Sequence, residues 1–155
     1  QVIPRGPEHR RALEADWQRR ALTETMKYHS TVLRGDPTNA HSHVQLAKAL
    51  MLAGQPTEAW NHLRLGVQFD PGSEEGHYHL GVLLMDRDFA AAEQEFIATL
   101  RTNPENFKAL NNLGLILMRQ GRLPEAEAQF KAALERNPGD KLILDNLELV
   151  RRNLR

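Results

Sequence analysis

The 155-residue chain has no cysteine. Disulfide frameworks, thiolate zinc sites and cysteine nucleophiles are thereby excluded. The absence says little about compartment, because a helical protein needs no disulfide in either redox environment. There is no excess of one charge: Lys+Arg and Asp+Glu both number 20. Proteins that grip a phosphate backbone usually carry a basic excess, so nucleic acid is not an expected partner. No run of about 18 apolar residues occurs, so no direct membrane insertion is expected. No signal-peptide pattern opens the chain. It begins at Gln1 rather than Met, as expected where a leader, an anchor, a neighbouring domain or an expression boundary has been cut. Cytoplasm and periplasm both fit.

Catalytic patterns are missing too. Ser30, Ser42 and Ser73 lie in no G-x-S-x-G turn. No phosphate-cradling glycine loop is found. Two H-x-H pairs, His41/His43 and His77/His79, attract notice. Residues two apart on a helix point about 200° apart, so neither pair can hold one metal together. Glu74 and His77 could share a face, but a carboxylate-bridged metal bundle needs several such motifs and the chain has one. No enzyme activity, catalytic residue, metal or cofactor is expected. The histidines are read as packing and contact residues.

The chain does have a period. Its composition, 41% hydrophobic and 26% charged, is that of a folded domain with a real core. Pro37, Pro71, Pro104 and Pro138 are spaced 34, 33 and 34 residues apart, each after Asp36, Asp70, Asn103 or Asn137. The clearest unit is NFKALNNLGLILMRQGRLPEAEAQFKAALERNP, ending at Pro138. It places Leu113, Gly114 and Leu117 in one helix, Gly121 at a break, and Ala126, Phe130 and Ala133 in a second helix. The preceding unit has Leu80, Gly81, Leu84, Ala92, Phe96 and Thr99, and lacks the turn glycine at Asp86-Arg87-Asp88. The first has Leu46, Ala47, Leu50, Gly54, Ala59, Leu63 and Gly66. Small residues let two helices approach closely, and Leu or Phe at i, i+3, i+4 forms the facing stripe. Gly54 and Gly121 permit the turn, and each proline starts a connection. A single hairpin leaves apolar surface wet, so hairpins must stack.

These residues resemble the tetratricopeptide repeat family over roughly Asn39 to Pro138. The resemblance departs at the first-helix aromatic slot (His43, His77, Leu110), at Ala47 for glycine, and at Gly66 and Thr99 for alanine. It implies an all-α fold, an α-solenoid of stacked antiparallel helix hairpins. The expected organisation is an extended or disordered stretch 1–6, a segment 7–37, repeats at 38–71, 72–104 and 105–138, and a capping helix 139–155. Leu142, Leu144, Leu147, Val150 and Leu154 give that last helix one apolar side. Residues 7–37 have no internal turn glycine, so they fit either a degenerate repeat or one long helix. We prefer the long helix, with its second half packed on the array.

The family resemblance also implies a function: a protein-interaction module, adaptor or scaffold, that holds a peptide or helix of another protein in a concave groove. The first helices line that groove. The expected contacts are His41, Val44, Gln45, Lys48 and Met51, then Glu75, Tyr78, His79, Val82 and Met85, then Lys108, Asn111, Asn112, Leu115, Met118 and Arg119. Met51, Met85 and Met118 share one slot. They are either a soft apolar strip for a partner or half-buried fillers between helices. The family's carboxylate clamp for chaperone tails would use slots that here hold Val44, Lys48, His79, Lys108 and Asn112. Only Lys108 matches, so that mode is not expected. Two other functions fit the same residues: self-assembly through the N-terminal helix or the convex face, and a docking domain of a larger enzyme.

Overall fold

A computed structural model describes residues 6–155. The expected extended stretch 1–6 therefore lies outside the described residues except for Gly6, which precedes the first helix. Eight α-helices and no strand occur among the described residues, in two compact units. The first ends at Phe69 and holds α1 (Pro7–Gly35), α2 (Ala40–Leu52) and α3 (Pro56–Phe69). The second runs from Asp70 to Arg155. It holds α4 (Glu74–Leu84), α5 (Phe89–Thr102), α6 (Phe107–Arg119), α7 (Leu123–Arg136) and α8 (Lys141–Asn153). The dominant packing pairs are α2 with α3, α4 with α5 and α6 with α7, each an antiparallel hairpin.

The first three proline-bearing connections share one design, and in the fourth Asn137 Nδ2 donates instead to Asp140 Oδ2 at 2.9 Å. Asp36 Oδ1 accepts from Thr38 N at 3.1 Å, Asp70 Oδ1 from Gly72 N at 3.1 Å, and Asn103 Oδ1 from Glu105 N at 3.0 Å. Each side chain thus closes a turn against its own backbone. Three residues on, Asn39, Ser73, Asn106 and Asp140 cap the next helix, accepting from the backbone N–H groups of Ser42, Gly76, Ala109 and Ile143. Such caps satisfy helix-end donors that would otherwise be orphaned.

The turns inside the hairpins take two forms. Gly54 and Gly121 adopt φ of +76° and +77°, and Gln55 N and Arg122 N reach back to Leu50 O and Leu117 O at 2.9 Å. That is the left-handed stop glycine allows. The second hairpin, one residue shorter, has no such glycine. There Asp88 N bonds Leu84 O at 2.9 Å while the Asp88 side chain already caps α5 through Ala91 N at 3.0 Å.

The second unit's core centres on Phe96 and Phe130, both fully buried, with Ala92, Ile116, Ala126, Ile143 and Val150 around them. Burying one such ring contributes roughly 1.5–3 kcal/mol. Each ring is seated on a glycine: a β-carbon at Gly81 would meet Phe96 Cε1 at 2.9 Å, and one at Gly114 would meet Phe130 Cε1 at 2.7 Å. In the first unit the corresponding slots hold Ala47 and Leu63, again fully buried. Segment 7–35 is a single 29-residue helix. Leu22, Met26, His29, Val32 and Leu33 are half-buried, and α1 packs on α2, whereas Leu13 and Trp17 remain 53% and 71% exposed.

Candidate ligand-binding surfaces

In the second unit the first helices α4, α6 and α8 build a shallow cleft of about 270 Å³. Tyr78 comes from α4, Phe107, Lys108 and Asn112 from α6, and Leu142 from α8. The Tyr78 hydroxyl is hydrogen-bonded with Asn112; burial raises its pKa above the ordinary tyrosine value, and the Asn112 bond acts against that rise. Lys108 is exposed at the cleft edge. The cleft therefore offers aromatic and aliphatic walls, the Lys108 cation, side-chain amides and the Asp140 carboxylate, which already accepts from Asn137 Nδ2 at 2.9 Å and from the first N–H groups of α8. It can hold a short apolar side chain and bond a neighbouring peptide group.

Of the expected contact residues, Tyr78, Lys108, Asn111 and Asn112 come together in this cleft. Asn111 contributes little accessible surface, being 6% exposed, because its Oδ1 accepts from Asn146 Nδ2 of α8 at 2.9 Å. Val82, Met85, Leu115 and Met118 lie half-buried against the core. Glu75 and His79 are half-buried on α4. Arg119 is an internal tie: it donates to Asp86 Oδ1 at 2.9 Å and to Met85 O at 3.2 Å, with its guanidinium 5.7 Å from the Phe89 ring centre.

In the first unit the expectation for Val44 is corrected. It is 2% exposed, not a groove residue. Gly66 on α3 has no β-carbon, and Val44 Cγ2 fills that space, 2.8 Å from where such a carbon would stand. Gln45 and Lys48 instead border a wider notch of about 690 Å³ between α1 and α2, along with Trp17, Ala21, Leu22 and Leu52. Lys48 Nζ donates to Gln45 Oε1 at 3.1 Å. Met51 is half-buried, and His41 is exposed with its ring centre 6.0 Å from that of His29.

From its sequence α8 reads only as a cap, and Leu142, Ile143 and Asn146 do not stand out as cleft or cleft-supporting residues. The available signal was the capping residue Asp140, which stands in the same register as Asn106, and Asn146, 34 residues after Asn112. Those place α8 in the series of first helices.

His43 and His77 serve packing. His43 Nε2 and His77 Nε2 lie 3.0 and 3.1 Å from the carbonyls of Pro37 and Pro71. Both rings therefore clamp the preceding turn. Their Nδ1 atoms differ in partner: His62 Nδ1 at 2.9 Å for His43, Glu95 Oε2 at 2.7 Å for His77. Glu74, which could have shared a metal with His77, accepts instead from Asn103 Nδ2 and Asn106 Nδ2, both at 2.8 Å. No group of three or more candidate metal ligands occurs among the described residues. Among the described residues no helix is long and apolar enough to cross a membrane.

Helix hairpins of two 11–14-residue helices, repeated at a 33–34-residue spacing with glycine under the Phe96 and Phe130 rings, define an all-α fold of the solenoid class. Residues 77–141 match a family model for the tetratricopeptide repeat; over the rest of the chain the likeness is one of fold. A crystal structure of MamA superposes with a TM-score of 0.79 at 22% identity, covering 97% of this chain and 86% of that one. A structure titled as YrrB, a repeat protein of this kind with an unusual peptide-binding site, gives 0.70 at 20% identity over 82% of this chain and 66% of that one. The first such domain of Spaghetti (RPAP3), bound to the HSP90 peptide SRMEEVD, gives 0.72 at 20% identity over 77% and 95%. Among curated proteins the sequence has no significant match.

Proposed function

We propose that the chain is a protein-interaction module whose second unit receives a segment of a partner protein in the α4–α6–α8 cleft. The carrying observation is the convergence of Tyr78 from α4, Phe107, Lys108 and Asn112 from α6, and Leu142 from α8 on one opening. An extended or helical segment fits it: an apolar side chain enters between Tyr78 and Leu142, Asn112 meets a peptide group, and Lys108 favours an acidic neighbour. Two proteins of the same fold are described with peptides or peptide-binding sites, which supports the reading. A chaperone-tail carboxylate is not part of it, since Lys108 alone fills a clamp position. No reaction is assigned to the chain.

The test is selection of a displayed 12-residue peptide library on the intact chain, then titration of the winners against Lys108→Glu and Tyr78→Ala. Loss of binding by both variants, with an unchanged melting temperature for Lys108→Glu, supports the cleft. Failure to select any peptide, or equal binding by both variants, rejects it. A second reading, assembly with copies of itself, draws on another surface, the exposed N-terminal half of α1.

A further inference from the structure

The N-terminal half of α1 carries a second, regular stripe. Arg10, Leu13, Glu14, Trp17, Arg20, Ala21 and Glu24 are all exposed. At 100° per residue they fall within an arc of about 120° along four turns. The stripe is centred on a different side of α1 from the half-buried Leu22, Met26, His29 and Leu33 that pack on α2, and its members Trp17 and Ala21 also border the α1–α2 notch. Trp17 stands at its midpoint, 71% exposed. The charges alternate along it: Arg10, Glu14, Arg20, Glu24.

That order is self-complementary in one arrangement. If two copies lie antiparallel with Trp17 against Trp17, Arg10 faces Glu24, Glu14 faces Arg20, and Leu13 faces Ala21. The two-fold axis repeats each pair. A parallel arrangement sets Arg10 against Arg10 and Glu14 against Glu14. Sliding one copy by four residues sets Arg10 against Arg20 in one direction and Glu14 against Glu24 in the other. The charge pattern therefore selects both orientation and register, as interhelical charges do in coiled coils.

We propose that this stripe is the interface of an antiparallel homodimer in which α1 of one copy pairs with α1 of a second. Ala21 is also in the wall of the α1–α2 notch, so Leu13 of the second copy comes to rest beside Leu22 and Leu52. Trp17 supplies the aromatic anchor that dominates small interfaces. The ion pair that Arg20 makes with Asp16 at 2.9 Å is solvent-exposed and gives up little when Arg20 turns to Glu14. Seven residues a side is well short of the roughly 20–30 of a standard interface, so the dimer is weak and concentration-dependent. It uses no residue of the second unit's cleft and stands whether or not that cleft binds peptides.

Sedimentation equilibrium of the full chain over a concentration series tests this. The expected result is a monomer–dimer equilibrium that Trp17→Ala abolishes. Glu14→Arg alone weakens association by about tenfold or more through like-charge contact. The exchange Glu14→Arg/Arg20→Glu restores it, and Lys108→Glu leaves it unchanged. All variants are at exposed positions, and circular dichroism checks that their helicity is retained. A monomer mass at every concentration overturns the proposal. So does a dimer indifferent to Glu14→Arg, or one that the double exchange fails to restore.

Discussion

The Phe130 ring occupies the space that a side chain on Gly114 would need: its Cε1, Cδ1 and Cζ lie 2.7–2.9 Å from the position of a β-carbon there. Phe96 stands in the same relation to Gly81. Gly114→Ala gains about 1 kcal/mol of helix propensity. Against this, it pushes a fully buried ring out of its seat, an overpacking cost of about 1–3 kcal/mol. The clash wins, and the variant unfolds at lower denaturant. Adding Phe130→Leu recreates the Ala47 and Leu63 combination of the first unit. The double variant is therefore more stable than the sum of the two single losses predicts, which urea unfolding of all three proteins measures.

Ala126 is fully buried on the α7 side facing α6. Ala126→Asp leaves a carboxylate without a cationic partner in that contact. The penalty is several kcal/mol, enough to melt the α6–α7 hairpin. Far-UV circular dichroism reads the helicity loss; full helicity in the variant contradicts the assigned packing.

Met85 and Met118 both pack against the second unit's core while remaining half-buried. Of the two roles open to them from sequence, filler is the one we expect to dominate. Met85→Lys/Met118→Lys lowers stability by about 1–2 kcal/mol per site, since the charged ends can reach water but the apolar contacts shrink. Thermal melting measures this. An unchanged melting temperature with lost peptide binding assigns them to the partner instead.

His62, which bonds the His43 clamp, and His77 have pKa values shifted in opposite directions. His43 donates from Nε2 to Pro37 O, and its Nδ1 lies 2.9 Å from His62 Nδ1. The His62 pKa is lowered, first by burial and then by His43, with Glu58 acting the other way. Its stabilising contribution is full above the unfolded value of about 6.5 and is lost as pH falls through the lower folded value. The His77 pKa is raised, chiefly by its hydrogen bond to Glu95; burial opposes this, the Pro71 carbonyl and the Glu95 charge add to it, and Arg101 acts against it. That contribution is full below about pH 6.5 and is lost as pH rises through the higher folded value. Between pH 8 and pH 5, hydrogen exchange corrected for intrinsic rate quickens in α2–α3 and slows in α4–α5. His77→Gln removes the second trend alone.

Much of this architecture could be read from spacing. The Asp/Asn-Pro turns, the caps three residues later and the glycine beneath each ring are local or one-hairpin relations, and they recur at a fixed period. What escaped depends on contacts between helices that no period encodes. Val44 looks like a groove residue until Gly66, 22 positions later, is seen to leave room for it. The His43–His62 and His77–Glu95 bonds link positions 19 and 18 apart, where either partner alone suggests nothing. α8 was legible as amphipathic, but its share in the cleft was hidden because Asn111 and Asn146 find each other only after stacking.

The central claim is that the α4–α6–α8 cleft receives a partner segment. Chemical-shift mapping on the labelled full chain, titrated with a peptide selected from the library, tests it most directly. The amides and side chains of Tyr78, Lys108, Asn112 and Leu142 are expected to move together with one dissociation constant, while the backbone amides of Gln94 and Ala128 on the second helices stay fixed. Shifts confined to α5 and α7, with Tyr78 and Asn112 unmoved, would contradict it.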